Sequence, residues 1–272
     1  MGAGTLMVGD CLEVLRDHVP DECVDLIVTS PPYADLRPEC SIRPDDYVDW
    51  FTPRAEQFLR VLKPTGSFIL NICDRVVDGE RHLFVFDLVI ALKRQLGFVF
   101  VETHYWMKRN PMPGSFRKRA MPAVEPIFWF ARTKSHYWSD EGIRQPYRSK
   151  RHLGKPKSRL RAPNQSERDL YRRGSALPPN YFTWTKEGKR DGADFHTAVF
   201  PIRLPTWFIK AGCPAGGTVM DPFAGSGTTA IAAQVLGRDW VLIEQDPAYA
   251  DVICQRLGTE AFVKAPPGRV VR

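Results

Sequence analysis

The sequence has no apolar run of about 18 residues, the length that would read as a membrane-spanning helix. Its start, Met1 to Asp10, lacks the basic and apolar regions of a secretory signal. Gly2 makes no myristoylation site, because Leu6 stands where Ser or Thr is needed. These absences give the expectation of a cytoplasmic protein, in the body of a prokaryotic cell or associated with its nucleoid. No Gly-Lys-Ser/Thr triplet occurs, which removes the phosphate-binding P-loop. The cysteines, Cys11, Cys23, Cys40, Cys73, Cys213 and Cys254, form no Cys-x-x-Cys pair and no Cys/His spacing suited to a metal. We expect reduced, mostly buried thiols and no metal site. Neither is there any internal repeat.

What is present is an α/β rhythm interrupted once. Val24 to Thr29 reads as a buried strand stopped by Ser30-Pro31-Pro32-Tyr33, because two prolines cannot continue a ladder. Val48, Phe51, Ala55, Phe58, Leu59 and Leu62 recur at helical spacing, with Pro53 against them. Ser67 to Leu70, Phe98 to Trp106 and Pro126 to Phe130 read as strands, and Phe84 to Leu96 as a helix closed by Gly97. From about Phe200 the rhythm returns. A helix near Pro205–Ala211 precedes a strand at Thr218–Met220, and a helix at Thr228–Leu236 precedes a strand at Trp240–Ile243. A last helix, Pro247–Leu257, is capped by Asp246. Alternating strands and helices imply a mostly parallel sheet covered on both faces.

The interruption is basic. The chain carries 38 Lys/Arg against 31 Asp/Glu, a net +7, while residues 132–195 hold 16 Lys/Arg and 7 Asp/Glu, or +9. The remainder is therefore +7 minus +9, or −2. Single aromatics, including Tyr137, Trp138, Tyr147, Tyr171, Tyr181, Phe182 and Trp184, are spaced through it. A basic segment with interleaved aromatics on a nearly neutral body points to a polyanionic partner.

Two loops carry chemistry. Gly225 and Gly227 lie directly between a strand and a helix, where glycine lets a ligand approach the main chain. Glu244 ends the next strand, where a carboxylate can bind ribose hydroxyls. With Ala230 in third place the run also fits a dinucleotide pattern, so a nicotinamide cofactor has to be weighed. The preceding Asp221-Pro222-Phe223 favours S-adenosylmethionine instead: a carboxylate attracts its ammonium group and would repel a pyrophosphate. The second loop is Thr29-Ser30-Pro31-Pro32-Tyr33. The lone pair of an exocyclic amine, cytosine N4 or adenine N6, is delocalised into the ring. Two acceptors taking both N–H hydrogens would aim that lone pair at a methyl group. Ser30 Oγ and the Pro31 carbonyl are the candidates, Pro31 and Pro32 stiffen the loop, and Tyr33 offers a face to an extruded base. No Pro-Cys dipeptide exists, so the covalent cytosine-C5 route is excluded and attack is direct.

The motifs Thr-Ser-Pro-Pro-Tyr (29–33) and Asp-Pro-Phe-Ala-Gly-Ser-Gly-Thr-Thr (221–229), in that order, resemble the β group of DNA amino-methyltransferases, and the first is the form met in its cytosine-N4 branch. Further similar stretches are Gly9-Asp10-Cys11, Leu62 to Gly66, Trp106-Met107-Lys108, Glu125-Pro126-Ile127 and Phe200-Pro201-Ile202. The resemblance implies a seven-stranded, mostly parallel, Rossmann-like methyltransferase sheet with permuted motif order. It also implies a target-recognition insertion at 132–195 between a catalytic half, 1–131, and a cofactor-binding half, 196–272. It places the cofactor S-adenosyl-L-methionine among Asp10, Cys11, Thr29, Phe200, Pro201, Asp221, Pro222, Phe223, Gly225, Ser226, Gly227, Thr228, Glu244 and Gln245. The expected reaction is site-specific methylation of cytosine N4 in double-stranded DNA after base flipping. The alternatives are an adenine-N6 enzyme, whose motif usually has Asp in place of Ser30, and a DNA-binding module without catalysis. Expected partners are double-stranded DNA and a cognate restriction endonuclease, with no membrane, and the chain is a monomer or a homodimer.

Overall fold

The computed structural model describes residues 3–34, 42–111, 118–146, 175–185 and 200–258. One large sheet organises them. Its strands are β1 (Gly4–Val8), β2 (Val24–Thr29), β3 (Leu62–Asn71), β6 (Val99–Met107), β7 (Val124–Ala131), β10 (Tyr181–Phe182), β11 (Thr218–Asp221) and β12 (Asp239–Glu244). Two further two-stranded antiparallel sheets pair β4 (Val76–Val77) with β5 (Glu80–Arg81), and β8 (Gln145–Pro146) with β9 (Ser175–Ala176). The helices are α1 (Cys11–His18), α2 (Tyr47–Val61), α3 (Phe84–Arg94), α4 (Arg203–Gly212), α5 (Thr228–Val235) and α6 (Pro247–Leu257). Among the described residues no helix is long and apolar enough to cross a membrane.

The strand order is β1-β12-β11-β2-β3-β7-β6-β10. Pairing is parallel from β1 through β3, antiparallel on both sides of β7, and parallel again between β6 and β10. Seven strands of four or more residues thus match the expected sheet, and the eighth is a two-residue addition at the edge. That addition, Tyr181–Phe182, comes from the basic segment.

Through the middle of the sheet both faces are covered, because successive residues of the central strands feed opposite cores, while β6 leaves Phe100, Tyr105 and Met107 exposed. Ile27, Phe68, Leu70, Phe128, Phe130, Met220 and Ile243 join a cluster with residues of α1, α2 and α3. Their chain neighbours Leu26, Val28, Ile69, Ile127, Trp129, Val219 and Leu242 join a second cluster with α4, α5 and α6. The first three helices therefore cover one face and the last three the other.

Pro53 sits inside α2 without breaking it. Lacking an N–H, it cannot serve the carbonyl one turn back. Flanking side chains work on the same carbonyl row: Thr52 Oγ1 donates to Val48 O at 2.7 Å and Arg54 Nη1 to Trp50 O at 2.8 Å. At the other end of the chain Asp246 caps α6 as its sequence position suggests, accepting from Ala248 N at 2.8 Å.

The described parts of the segment 132–195 are fastened to the sheet and to α4. Tyr137 N donates to Thr65 O and Ser139 N to Ala211 O, both at 2.9 Å, and Trp106 Nε1 donates to Trp184 O at 3.0 Å. Residues 147–174 and 186–195 of that segment, with Tyr147 and Tyr171, lie outside the described residues, as does Cys40.

Between β2 and β11 the connections of two neighbouring parallel strands part. From β2 the chain proceeds through α2 to β3 on one side, and from β11 it proceeds through α5 to β12 on the other. Neighbouring β2 and β11 thus send their connections in opposite directions, which opens a crevice beyond their C-terminal ends.

Candidate active site

Both sequence-derived loops leave the sheet at this crevice. The Ser30 loop follows β2 and the glycine loop follows β11, on adjacent strands whose Ile27 and Met220 pair in register. One buried contact joins them: Thr29 Oγ1 donates to Asp221 Oδ1 at 2.6 Å. Asp221 Oδ2 accepts from Thr229 Oγ1 at 2.7 Å, and Oδ1 also accepts from Phe223 N at 3.1 Å. The carboxylate is 1% exposed, and burial pushes its pKa up to about 6 although each of these bonds pulls it down. Asp221 therefore locks the two loops together. The ammonium contact expected of it would have to reach a buried carboxylate that already accepts three hydrogen bonds.

The glycine loop needs its glycines for backbone reasons. Gly225 has φ 52° and Gly227 φ 77°, the left-handed region that side chains disfavour. Gly227 is the N-cap of α5, and a Cβ there would lie 3.1 Å from Ile253 Cγ1 on α6. A side chain at this position would therefore press on Ile253 of the core. Pro222, Ser226 and Thr228 are buried within the turn, and the Ser226 and Thr228 hydroxyls stand 3.5 Å apart.

Glu244 at the end of β12 orders the same loop. Its Oε2 accepts from Gly225 N at 2.7 Å and its Oε1 from Asp246 N at 3.0 Å, while burial raises its pKa. Gln245 beside it is exposed. Asp10, beyond β1, caps α1 by accepting from Leu12 N at 2.9 Å, and its other oxygen pairs with Arg54 Nη2 at 2.8 Å. Arg54 lies 4.2 Å over the Trp50 ring, which packs 5.8 Å from Phe223. Cys11 is buried, which pushes its thiol up to about 12 and leaves it neutral. Asp10, Glu244, Phe223 and Ser30 thus follow four parallel neighbours, β1, β12, β11 and β2, all at their C-terminal ends. Pro201 is buried and Phe200 half-buried against the second core, where the Pro201 carbonyl accepts from Leu204 N at 2.8 Å as α4 begins.

The Ser30 loop is held mostly by side chains from other elements. Pro31 is buried and Pro32 exposed, and Tyr47 Oη donates to the Pro32 carbonyl at 2.8 Å. Ser30 Oγ donates to Tyr33 Oη at 3.2 Å, and Tyr33 Oη donates to Glu125 Oε2 at 3.5 Å, a weak bond at that length. Glu125, on β7, also accepts from Asn71 Nδ2 at 3.4 Å and pairs with Lys108, which follows β6. Burial, and then the Glu125 charge, hold the Tyr33 phenol well above its ordinary range, so it stays protonated.

Asn71, Lys108, Glu125 and Arg54 are the site residues that were given no role from the sequence, and Thr229, the last residue of the second motif, was given none either. Lys108 and Glu125 lie within stretches similar to the family, yet one charge beside a strand reads as a solvated edge. Only the β6–β7 register, with Trp106 opposite Glu125, brings them to the Ser30 loop.

Comparisons with known proteins bear on the family and the fold. A family described as DNA methylase, covering N6 and N4 methyltransferases, matches residues 24–255. The type II methyltransferase M.PvuII of Proteus hauseri is 30% identical over 90% of this chain and 81% of its own length. M.BglII of Bacillus subtilis is 29% identical over 93% of this chain and 68% of its own. Among solved structures, the PvuII DNA methyltransferase (cytosine-N4-specific) superimposes with a TM-score of 0.76 at 25% identity, covering 96% of this chain and 89% of that one. A DNA modification methylase of Thermus thermophilus, complexed with S-adenosyl-L-methionine and described as putative, gives 0.59 at 27% identity over 94% and 95% of the two chains.

Proposed function

We propose, from the premise that this chain belongs to the N6/N4 family of DNA methylases, that it transfers a methyl group from S-adenosyl-L-methionine to N4 of cytosine in double-stranded DNA. The observation that carries the reading is the Thr29–Asp221 bond, which holds a glycine loop and a Ser-Pro-Pro-Tyr loop side by side over one crevice. Similarity to M.PvuII and to a cytosine-N4-specific structure supports cytosine over adenine.

The residues present fit this cofactor. Gly225, left-handed and half-buried, puts no side chain between main chain and ligand, and the Glu244 carboxylate suits hydroxyl groups. Asp10, Phe200, Gly225 and Glu244 would hold it, with Cys11, Pro201, Ser226, Thr228 and Gln245 around them. When bound, S-adenosyl-L-methionine supplies an electrophilic methyl group on a sulfonium. The chain must then present a nucleophile. Ser30 Oγ and the Pro31 carbonyl accept the two amine hydrogens, which turns the N4 lone pair out of conjugation. Tyr33 offers its ring to the flipped base. Pro31, Pro32 and the Tyr47 bond fix the loop beforehand, so little ordering remains for the transition state.

The basic segment 132–195 supplies phosphate contacts and base readout as the target-recognition region, between a catalytic half at 1–131 and a cofactor half at 196–272. The type II relatives support a bacterial cytoplasmic setting beside a cognate restriction endonuclease. The test is to methylate unmodified DNA with purified protein, digest it to nucleosides and analyse them by mass spectrometry. N4-methylcytosine is expected. Methyl groups on adenine with none on cytosine would overturn the target atom, and cofactor binding without any product would leave a DNA-binding module.

A further inference from the structure

A serine hydroxyl has one proton and two lone pairs, so it can accept from an amine or donate elsewhere. For Ser30 to draw on an exocyclic N–H, its own proton has to be committed in another direction. A carboxylate at that position would have no such ambiguity. The structure supplies the commitment. Ser30 Oγ donates to Tyr33 Oη at 3.2 Å, and the phenol can receive this proton because its own points to Glu125 Oε2 at 3.5 Å. Glu125 cannot turn away: Lys108 pairs with Oε1, and Asn71 Nδ2 donates to Oε2 at 3.4 Å and to Pro126 O at 3.2 Å. The Lys108 and Glu125 side chains are each 10% exposed, and the lysine lies 5.3 Å from the Trp106 ring centroid. A buried ion pair of this kind contributes little net stability against an apolar replacement, whereas it fixes direction well. Its position beside the reactive loop is where direction matters.

Resting on the reading of Ser30 as an amine acceptor, we propose that Glu125 is a positioning residue, which acts through the Tyr33 hydroxyl to keep the Ser30 lone pairs facing the target amine. Tyr33 then has two separate parts: a ring for the base and a hydroxyl for the serine. Asn71 and Lys108 hold the far end of the chain. The device makes a neutral hydroxyl behave as a one-way acceptor, which is the property a carboxylate has by nature.

The two parts of Tyr33 can be separated by Tyr33→Phe, which keeps the ring and removes the link. The full-length protein is assayed for single-turnover methylation, alongside DNA and cofactor affinities, with Tyr33→Phe, Glu125→Gln and the double variant. Each single substitution is expected to lower kcat about 10- to 100-fold with KM for DNA and cofactor affinity unchanged. The double variant should be no slower than the slower single, because both break one chain. Unchanged kcat in Tyr33→Phe, a loss confined to KM, or losses that multiply in the double variant would each overturn the assignment. If Glu125→Gln fails to fold, as judged by its thermal melt, Tyr33→Phe decides alone. Failure of the functional reading would appear in the wild-type product and in Ser30→Ala, whereas failure of this inference appears only in the Tyr33 and Glu125 variants.

Discussion

The two loops that flank the crevice are built by opposite means. The glycine loop after β11 is shaped by its own backbone and by the next strand in the chain: two left-handed glycines set the path, Asp221 takes the Phe223 amide, and Glu244 of β12 takes the Gly225 amide. The Ser30 loop after β2 is held from afar, by Tyr47 of α2 on the Pro32 carbonyl and by Glu125 of β7 through Tyr33. A loop that surrounds a ligand needs a backbone shape, and backbone shape is enforced by residue type at fixed spacing. The loop that performs chemistry needs hydroxyl protons pointing in set directions, and those are enforced by whatever group packs nearby.

The sharpest way to break this comparison is on the chemical side. Ser30→Ala should lower kcat roughly 100- to 1,000-fold, the loss typical of removing one transition-state hydrogen-bonding group, while cofactor and DNA still bind. Single-turnover rates beside calorimetric affinities would check it, and normal turnover would remove Ser30 from the mechanism.

The joint between the loops gives the next effect, in stability rather than rate. Asp221 has its folded pKa raised from 3.8 to about 6, so the folded state binds its proton more tightly than the unfolded state does. The charged form thus costs stability above about pH 6, and that cost is relieved as pH falls from about 6 toward 4. The stability of wild type relative to Asp221→Asn should rise by roughly 2 kcal/mol across that window. Denaturant titrations of both proteins at several pH values would reveal it, and parallel stability curves would refute it.

On the backbone side, Gly227→Ala should cost about 1–2 kcal/mol of stability, from the left-handed φ and the Ile253 contact, before any ligand is added. A variant of full stability with reduced cofactor affinity would show instead that the ligand fills that space. The smallest effect belongs to Tyr47→Phe, which removes one bond to the Pro32 carbonyl and should cost about 1 kcal/mol or less. A modest fall in kcat at unchanged KM is expected there, and a larger effect than that of Gly227→Ala would reverse the comparison.

Much of the fold was legible because strand and helix periods differ. Val24–Thr29, Thr218–Asp221 and Asp246 as a cap all stand where their residues place them. Pro53 argued against α2 from local rules alone, yet the helix runs through it and buries Tyr47, Phe51, Ala55, Phe58 and Val61. The strand Gly4–Val8 and the helix Cys11–His18 gave too short a pattern to read, and they became visible only as partners of β12 and α2.

By itself the sequence determined the chemistry at hand: a left-handed glycine turn, a stiff Ser-Pro-Pro-Tyr loop, acidic residues at strand ends and a basic segment between the halves. Each is a property of residue type at short range, where covalent geometry and proton inventory decide. Tertiary structure alone decided which groups meet. Thr29 and Asp221 are 192 positions apart and Tyr33 and Glu125 are 92 apart, yet both pairs touch because parallel β2–β11 pairing and antiparallel β3–β7 pairing bring those strand ends to one edge. No local rule carries that information, since a hydrogen bond depends on where strands are laid, and strand order follows from burying two apolar faces at once.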